Sequence, residues 1–112
     1  MAKVSARTYS RYSREAMILL GDLIRAARKE RKMTAQELAD RAGISRGLLQ
    51  RIEKGDPKCE LGATFEVATI VGVKLFDTEA ATLTQLIRQT EDKLALLPKS
   101  VRKQVKVVDD DF

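Results

Sequence analysis

Histidine is absent from this chain of 112 residues, and Cys59 is its single cysteine. A single chain of this composition assembles no His/Cys metal cage, no internal disulfide and no histidine-based nucleophile. Its carboxylates mostly alternate with lysine and arginine, as on a solvated helix face, so no isolated pair is available for acid/base chemistry. We therefore expect a protein that is not an enzyme and requires no metal or cofactor. Cys59 is expected to be a buried or indifferent thiol, and the alternative is a reactive one.

Proline and long apolar runs are also scarce. The 2 prolines and 6 glycines exclude collagen-like and proline-rich chains. The longest apolar run, residues 16–20, is far shorter than the ~20 residues that span a bilayer, and the N-terminus lacks the apolar region of a signal peptide. The 44% of hydrophobic residues suffices for a globular core. We expect a single soluble domain in the cytoplasm, with no membrane partner.

Positive charge is concentrated in the N-terminal half. Residues 1–60 carry 14 basic and 8 acidic side chains, whereas residues 61–112 carry 7 and 8. This uneven distribution is typical of a protein that binds a polyanion. Because many soluble proteins are basic, the charge alone does not identify the partner as nucleic acid, and sequence motifs are needed to do so.

Apolar spacing predicts helices along most of the chain. The first runs from Arg14 to Arg31 with Ser13 as its N-cap, and the last runs from Thr78 to Leu97 after an Asp77 cap. The predicted segments are a basic flexible arm (1–13), a helical domain (14–76), a C-terminal helix (77–97) and a tail (98–112) with a short strand and an acidic end.

Two short helices joined by a tight turn lie in the middle of the chain. Thr34 and Glu37 form a capping box at the start of the first, and Gly43 supplies the left-handed residue that ends it. Ser45 then caps the next helix, which stops at Gly55. Helices connected so closely predict a helix-turn-helix.

A further helix is predicted over residues 61–71, ended by Gly72, and the apolar residues 73–76 are expected to pack back onto the bundle. The predicted inward positions of this helix are Phe65, Ala68 and either Thr69 or Ile70.

An ordered series of motifs extends over residues 20–76. Its blocks are Leu20-Gly21…Ile24-Arg25…Arg28, Met33-Thr34…Glu37-Leu38-Ala39, Ala42-Gly43-Ile44-Ser45…Leu49…Ile52-Glu53-Lys54-Gly55 and Ala68…Gly72-Val73. Together they resemble the Cro/cI-type (XRE-family) helix-turn-helix domain. The resemblance implies an all-α, five-helix lambda-repressor-like domain that acts as a homodimer on a pseudo-palindromic operator in double-stranded DNA.

The resemblance also implies which residues contact DNA. In this fold the third helix lies in the major groove, where arginine pairs with guanine and glutamine with adenine. The implied base-reading residues are Ser45, Arg46, Gly47, Gln50 and Arg51. The implied phosphate contacts are Thr34, Gln36, Lys54 and Lys58. The alternative is a polar solvent-facing surface.

Two positions depart from the family pattern. Gly47 stands where polar residues are common, so it either permits close backbone approach or removes one base contact. Ala35 stands where glutamine is frequent, so one usual phosphate contact is either missing or moved to Gln36.

Arg28 and Glu53 occupy the positions that form an ion pair between the first and third helices in this family. The alternative is a pair of solvated surface charges. The apolar nucleus that fixes the angle between the two short helices is predicted to be Leu38, Leu49 and Ile52, with Ala39 small because the helices cross closely there.

The C-terminal part resembles small antitoxin regulators of the HipB type, whose tails help dimerise and engage a HipA-like kinase toxin. The long helix, the strand-like alternation of residues 105–107 and the acidic residues 109–112 carry this resemblance. It implies an autoregulating repressor of a type II toxin-antitoxin operon, associated with the nucleoid when bound to DNA. Alternatives are a phage-type or stand-alone XRE repressor, or a protein-interaction module without DNA specificity, with the tail merely frayed. The arm residues Lys3, Arg7 and Arg11 either contact DNA or form a solubilising extension.

Overall fold

The computed structural model of the chain describes residues 7–76 and 79–103. Within these ranges no strand occurs, so the prediction of an all-α fold is confirmed. Two compact units, Met1–Asp77 and Thr78–Phe112, make up the chain. No helix in the described ranges is long and apolar enough to cross a membrane. The helices are α1 (Arg11–Glu30), α2 (Ala35–Ala42), α3 (Arg46–Glu53), α4 (Leu61–Ile70) and α5 (Ala80–Leu96).

The core of the first unit lies where α1 to α4 meet. Helix α2 packs on both α3 and α4, and α1 packs on α3. Leu38, Leu49 and Ile52 are buried at 0%, 0% and 4% exposure, as the nucleus prediction required. Burying each such side chain contributes ~1.5–3 kcal/mol. The full set of buried apolar residues is Ile24, Met33, Leu38, Ala39, Leu49, Ile52, Val67, Ala68 and Val71.

Helix α1 begins one turn earlier than the sequence pattern predicts. Its N-cap is Ser10, not Ser13, because the Ser10 hydroxyl accepts a hydrogen bond from the Ser13 backbone N–H. An ion pair between Arg11 and Glu15 lies on this added turn. Arg11 therefore belongs to a helix and not to the predicted arm.

The inward face of α4 matches the prediction in part. Ile70, one of the two predicted alternatives, is half-buried against the core. Ala68 is buried as expected, but Val67 and Val71 complete the inward face, while Phe65 is only half-buried. Thr69 is exposed, and its hydroxyl donates to the Phe65 carbonyl. This helix is apolar on nearly every side, so apolar spacing alone does not select its buried face.

Residues 73–76 pack back on the first unit, as predicted. Val73 and Leu75 are half-buried against the core. Phe76 remains 65% exposed, yet its ring stacks on that of Phe65 with centroids 6.3 Å apart.

The second unit contains α5, which begins at Ala80 after Glu79 at the N-cap position. The predicted start at Thr78 and cap at Asp77 fall outside the described residues. The helix ends at Leu96, because Leu97 precedes Pro98 and adopts extended backbone angles. The predicted strand at Val105 and Val107, the acidic end 109–112 and Lys3 of the arm also lie outside the described residues.

Candidate nucleic-acid interface

Capping side chains and one glycine set the ends of α2 and the start of α3. Thr34 Oγ1 accepts from the Glu37 N–H at 3.0 Å while Glu37 Oε1 accepts from the Thr34 N–H at 2.8 Å, which confirms the capping box. Gly43 ends α2 with φ 71° and ψ 32°, the left-handed conformation that glycine adopts without steric cost. Ser45 Oγ then accepts from the Leu48 N–H as the N-cap of α3, which begins at Arg46.

Helix α3 has one buried and one exposed face. Leu49, Ile52 and Glu53 are buried. On the opposite face, Gln50 follows Arg46 by four residues and Arg51 follows Gly47 by four, a spacing that places the members of each pair side by side. All five predicted base-reading residues are exposed: Ser45, Arg46, Gly47, Gln50 and Arg51.

The exposed charge of α3 and its C-cap is entirely positive. Arg46 and Arg51 are exposed on the helix, and Lys54 is exposed at its C-cap. The one acidic residue of the helix, Glu53, is only 8% exposed and is neutralised by Arg28. The surface offered to a partner therefore combines guanidinium donors with the amide of Gln50, the groups that read guanine and adenine edges.

Arg28 and Glu53 join α1 to the end of α3 through two parallel hydrogen bonds. Arg28 Nε donates to Glu53 Oε2 at 2.7 Å and Nη2 donates to Oε1 at 3.0 Å. Nη1 also donates to the Met33 carbonyl at 3.0 Å. Hydrogen bonding to the Glu53 carboxylate raises the pKa of the Arg28 guanidinium, although burial opposes this. The structure thus brings these two residues together, and the pair fixes the orientation of α3.

Gly21 allows α1 and α3 to approach closely, a role that its place in the motif series did not predict. A Cβ at this position would lie 2.6 Å from the Glu53 carbonyl oxygen and 2.7 Å from that of Ile52. Gly55 plays a similar part, since its Cβ would lie 2.8 Å from the Ile18 Cα. An isolated glycine inside a helical pattern is a signal of close packing that could have identified Gly21.

The predicted phosphate-binding residues are all exposed, but their side chains differ in how many polar groups are free to bind a phosphate. Within the described part of the chain, the ammonium groups of Lys54 and Lys58 make no hydrogen bond or ion pair. The Gln36 amide, by contrast, donates to Asp40 Oδ1 at 2.9 Å. Thr34 uses its hydroxyl oxygen as an acceptor in the capping box and keeps its O–H as a donor.

A cleft of about 370 Å³ adjoins Lys54 and adds two cations to this side of the first unit. Arg7 and Arg14 line it with Lys54, and Asp56 is its acidic member. Arg14 is positioned by a hydrogen bond from Nη1 to the Tyr9 carbonyl at 3.0 Å. Arg14 was not among the predicted contacts, because only the fold brings the start of α1 beside the end of α3.

The Cys59 thiol and the acidic side chains are two further kinds of reactive group in the described part of the chain. Cys59 is half-buried, and burial, followed by the nearby Asp56 carboxylate, raises the pKa of its thiol. A raised pKa lowers the thiolate population and hence nucleophilicity. Among residues 7–76 and 79–103, no cluster of three or more histidine, cysteine or acidic side chains could hold a metal ion.

Comparison with known proteins gives one match. Residues 24–58, about a third of the chain, match the family model described as Helix-turn-helix. The matched segment contains both short helices, the turn between them and the Arg28–Glu53 pair. It supports a DNA-binding transcription regulator of the XRE type. No curated protein and no solved structure matched the chain.

Proposed function

We propose that the protein is a sequence-specific repressor that blocks a promoter by occupying its operator. The observation that carries this proposal is the exposed face of α3, which is free of acidic side chains and is held in place by the buried Arg28–Glu53 pair. Helices of this type dock in the major groove through their N-terminal residues. Arg46 and Gln50 lie on that part of α3 and are proposed to make the main base contacts.

Phosphate contacts on either side of α3 would set its position on the duplex. Lys54 and Lys58 are proposed to bind the backbone beyond the C-terminal end of α3, and Thr34 and Gln36 to bind it at the start of α2. Such contacts determine register and orientation, and they make affinity depend on salt. Arg14, in the cleft beside Lys54, extends this set.

The active species is proposed to be a homodimer on two half-sites separated by about one helical turn, ~34–36 Å. A single short reading helix binds weakly, and dimerisation couples two such contacts. The C-terminal unit is the proposed dimer surface, because α5 exposes a stripe of large apolar side chains. The stripe consists of Leu83, Leu86, Ile87, Leu94 and Leu97.

The biological role is proposed to be that of an autoregulating antitoxin of a type II toxin-antitoxin operon, similar to HipB and partnered by a HipA-like kinase toxin. The layout of a DNA-binding domain followed by a long helix and an acidic tail supports this role. Purification from the native cell tests it: a kinase-like protein should be retained, and retention of none would favour a phage-type or stand-alone repressor.

Selection from random DNA duplexes tests the base-reading assignment. We expect the protein to enrich a pseudo-palindromic site, and Arg46→Ala and Gln50→Ala each to lose ~1–3 kcal/mol of binding with relaxed preference at particular base pairs. Arg88→Ala is the matched control, since Arg88 is an exposed arginine of α5 and should leave the selected site unchanged.

The outcome also separates DNA recognition from pure protein interaction. An interaction module built on the exposed apolar stripe of α5 would select no sequence and would bind duplex DNA weakly at moderate salt. If both α3 variants select the same site as the parent protein, the assignment of α3 to the groove is wrong.

A further inference from the structure

Helix α1 has a second apolar face besides the one that packs on the core. The core face contains Leu20, Ile24 and Ala27. On the second face, Tyr12, Leu19 and Leu23 are 82%, 58% and 47% exposed, and the two alanines between and beyond them are also exposed. We call this second face the α1 seam; it consists of Tyr12, Ala16, Leu19, Leu23 and Ala26.

The α1 seam has the spacing of a helix that pairs with another helix. Its members follow one another in alternating steps of four and three residues, the a/d pattern of a coiled coil. At about 100° per residue they stay within a strip ~80° wide. The strip extends over ~21 Å of helix, enough for several side-chain layers.

The α1 seam points away from α3. Gly21 faces α3, since a Cβ there would collide with the Glu53 carbonyl oxygen. Leu19 and Leu23 each lie two residues from Gly21, which places them about 200° around the helix from it. A partner on the α1 seam would therefore leave the exposed face of α3 open.

We propose that the α1 seam is a self-association surface, on which α1 of a second copy packs in the antiparallel direction. In the register that matches the a and d positions, Leu19 packs on Leu23 of the second copy and Ala16 packs on its Ala26. The large side chains then occupy the centre and the small ones flank them. Tyr12 comes beside Glu30 of the second copy at each end.

Charges along one edge of the α1 seam select this direction. Glu15 and Lys29 both lie on that edge, and Asp22 lies midway between them. Antiparallel pairing brings Glu15 of each copy beside Lys29 of the other, so two attractive contacts form by symmetry. Parallel pairing forms neither contact and brings Glu30 beside Glu30. Asp22 meets its own counterpart at the centre, a repulsion that limits the affinity.

This contact is separate from the one proposed for residues 77–112, and it does not depend on DNA binding. It needs only α1, so it can be measured on the full chain without an operator. A result against it would leave the assignment of α3 to the major groove unaffected.

Chemical cross-linking tests the direction and register. In a Cys59→Ser background, Ala16→Cys and Ala26→Cys proteins are prepared separately, one with an affinity tag, and treated with a short bis-maleimide. Equivalent residues 16 of two copies are offset by about 15 Å along the helix axes in the proposed register. We therefore expect cross-linked dimers when the two proteins are mixed and almost none from either alone. Cross-linking of Ala16→Cys alone would show a parallel pair. No cross-link in any sample would show that a second copy does not occupy the α1 seam. Either result overturns the proposal.

Charge exchange tests the same contact by an independent measurement. We expect Glu15→Lys or Lys29→Glu to reduce the yield of the mixed cross-link severalfold, the double exchange to restore it, and Asp22→Asn to increase it. Leu19→Asp should abolish it, whereas Leu61→Asp, at an exposed leucine of α4, should not change it. Failure of the double exchange to restore the cross-link would contradict the antiparallel register.

Discussion

Arg28 and Glu53 form a bidentate pair in which Nε lies 2.7 Å from Oε2 and Nη2 lies 3.0 Å from Oε1. Their side chains are 11% and 8% exposed, so the pair is largely withdrawn from water. Twenty-five residues separate them in the chain. The pair is therefore a contact between distant parts of the chain that orients the end of α3, and hence its exposed face, relative to α1.

Removing one member of this pair should strongly destabilise the first unit. Glu53→Gln leaves the Arg28 guanidinium buried without its counter-charge, and we expect a loss of ~3–5 kcal/mol in the free energy of unfolding. Replacing both residues with apolar ones, Arg28→Met with Glu53→Leu, should recover most of it. Urea denaturation measures both changes.

The exposed pair of Arg11 and Glu15 is the control, because its side chains are 83% and 66% exposed. Arg11→Ala should change stability by no more than ~0.5 kcal/mol. A loss of under ~1 kcal/mol for Glu53→Gln would mean that Arg28 finds water or another acceptor.

Gly21→Ala should destabilise the protein although alanine favours helices. The added Cβ would lie 2.6 Å from the Glu53 carbonyl oxygen, and such overpacking costs ~1–3 kcal/mol. Gly62→Ala is the matched control, since nothing lies within 4 Å of a Cβ there, and it should raise stability by up to ~1 kcal/mol. Thermal unfolding of the two variants should shift in opposite directions, and a stabilised Gly21→Ala would show that the helices are not in close contact.

Lys54→Ala and Lys58→Ala should weaken binding to all duplexes alike. Each lost phosphate contact should flatten the slope of log K against log salt concentration by ~0.9. Fluorescence anisotropy titrations over a salt series measure this, with Lys93→Ala in α5 as the control that keeps the parent slope. A loss confined to particular sequences would instead assign these lysines to base reading.

Deletion of residues 98–112 should leave the helix-turn-helix folded, because its nucleus of Leu38, Leu49 and Ile52 lies upstream. The shortened protein should dimerise less tightly, bind the operator more weakly and fail to retain a toxin. Light scattering and DNA titration compare the two proteins. If dimerisation, DNA affinity and any retained partner are all unchanged, the tail has no role in assembly.

Local signals were sufficient to predict α2, the turn and α3 from the sequence. Capping side chains act over three or four residues, so Thr34, Gly43 and Ser45 mark their helix ends wherever the chain folds. The predicted start of a helix was wrong where two nearby residues could each act as its N-cap. Ser10 and Ser13 can both cap α1, and the one that leaves a longer helix with an added Arg11–Glu15 pair is adopted.

What the sequence determined by itself is therefore the set of helices and the chemistry available on α3, because both depend on side chains close together in the chain. The tertiary structure decided which faces are buried and which charges remain exposed. Val67 and Val71 are buried, not Phe65, because the apolar surface of α4 is continuous and only packing selects a side. Likewise, Glu53 leaves no negative charge on the exposed face of α3 only because Arg28, in another helix, pairs with it away from water. Contacts between distant segments have no local signature, so their consequences appear only when the chain is folded.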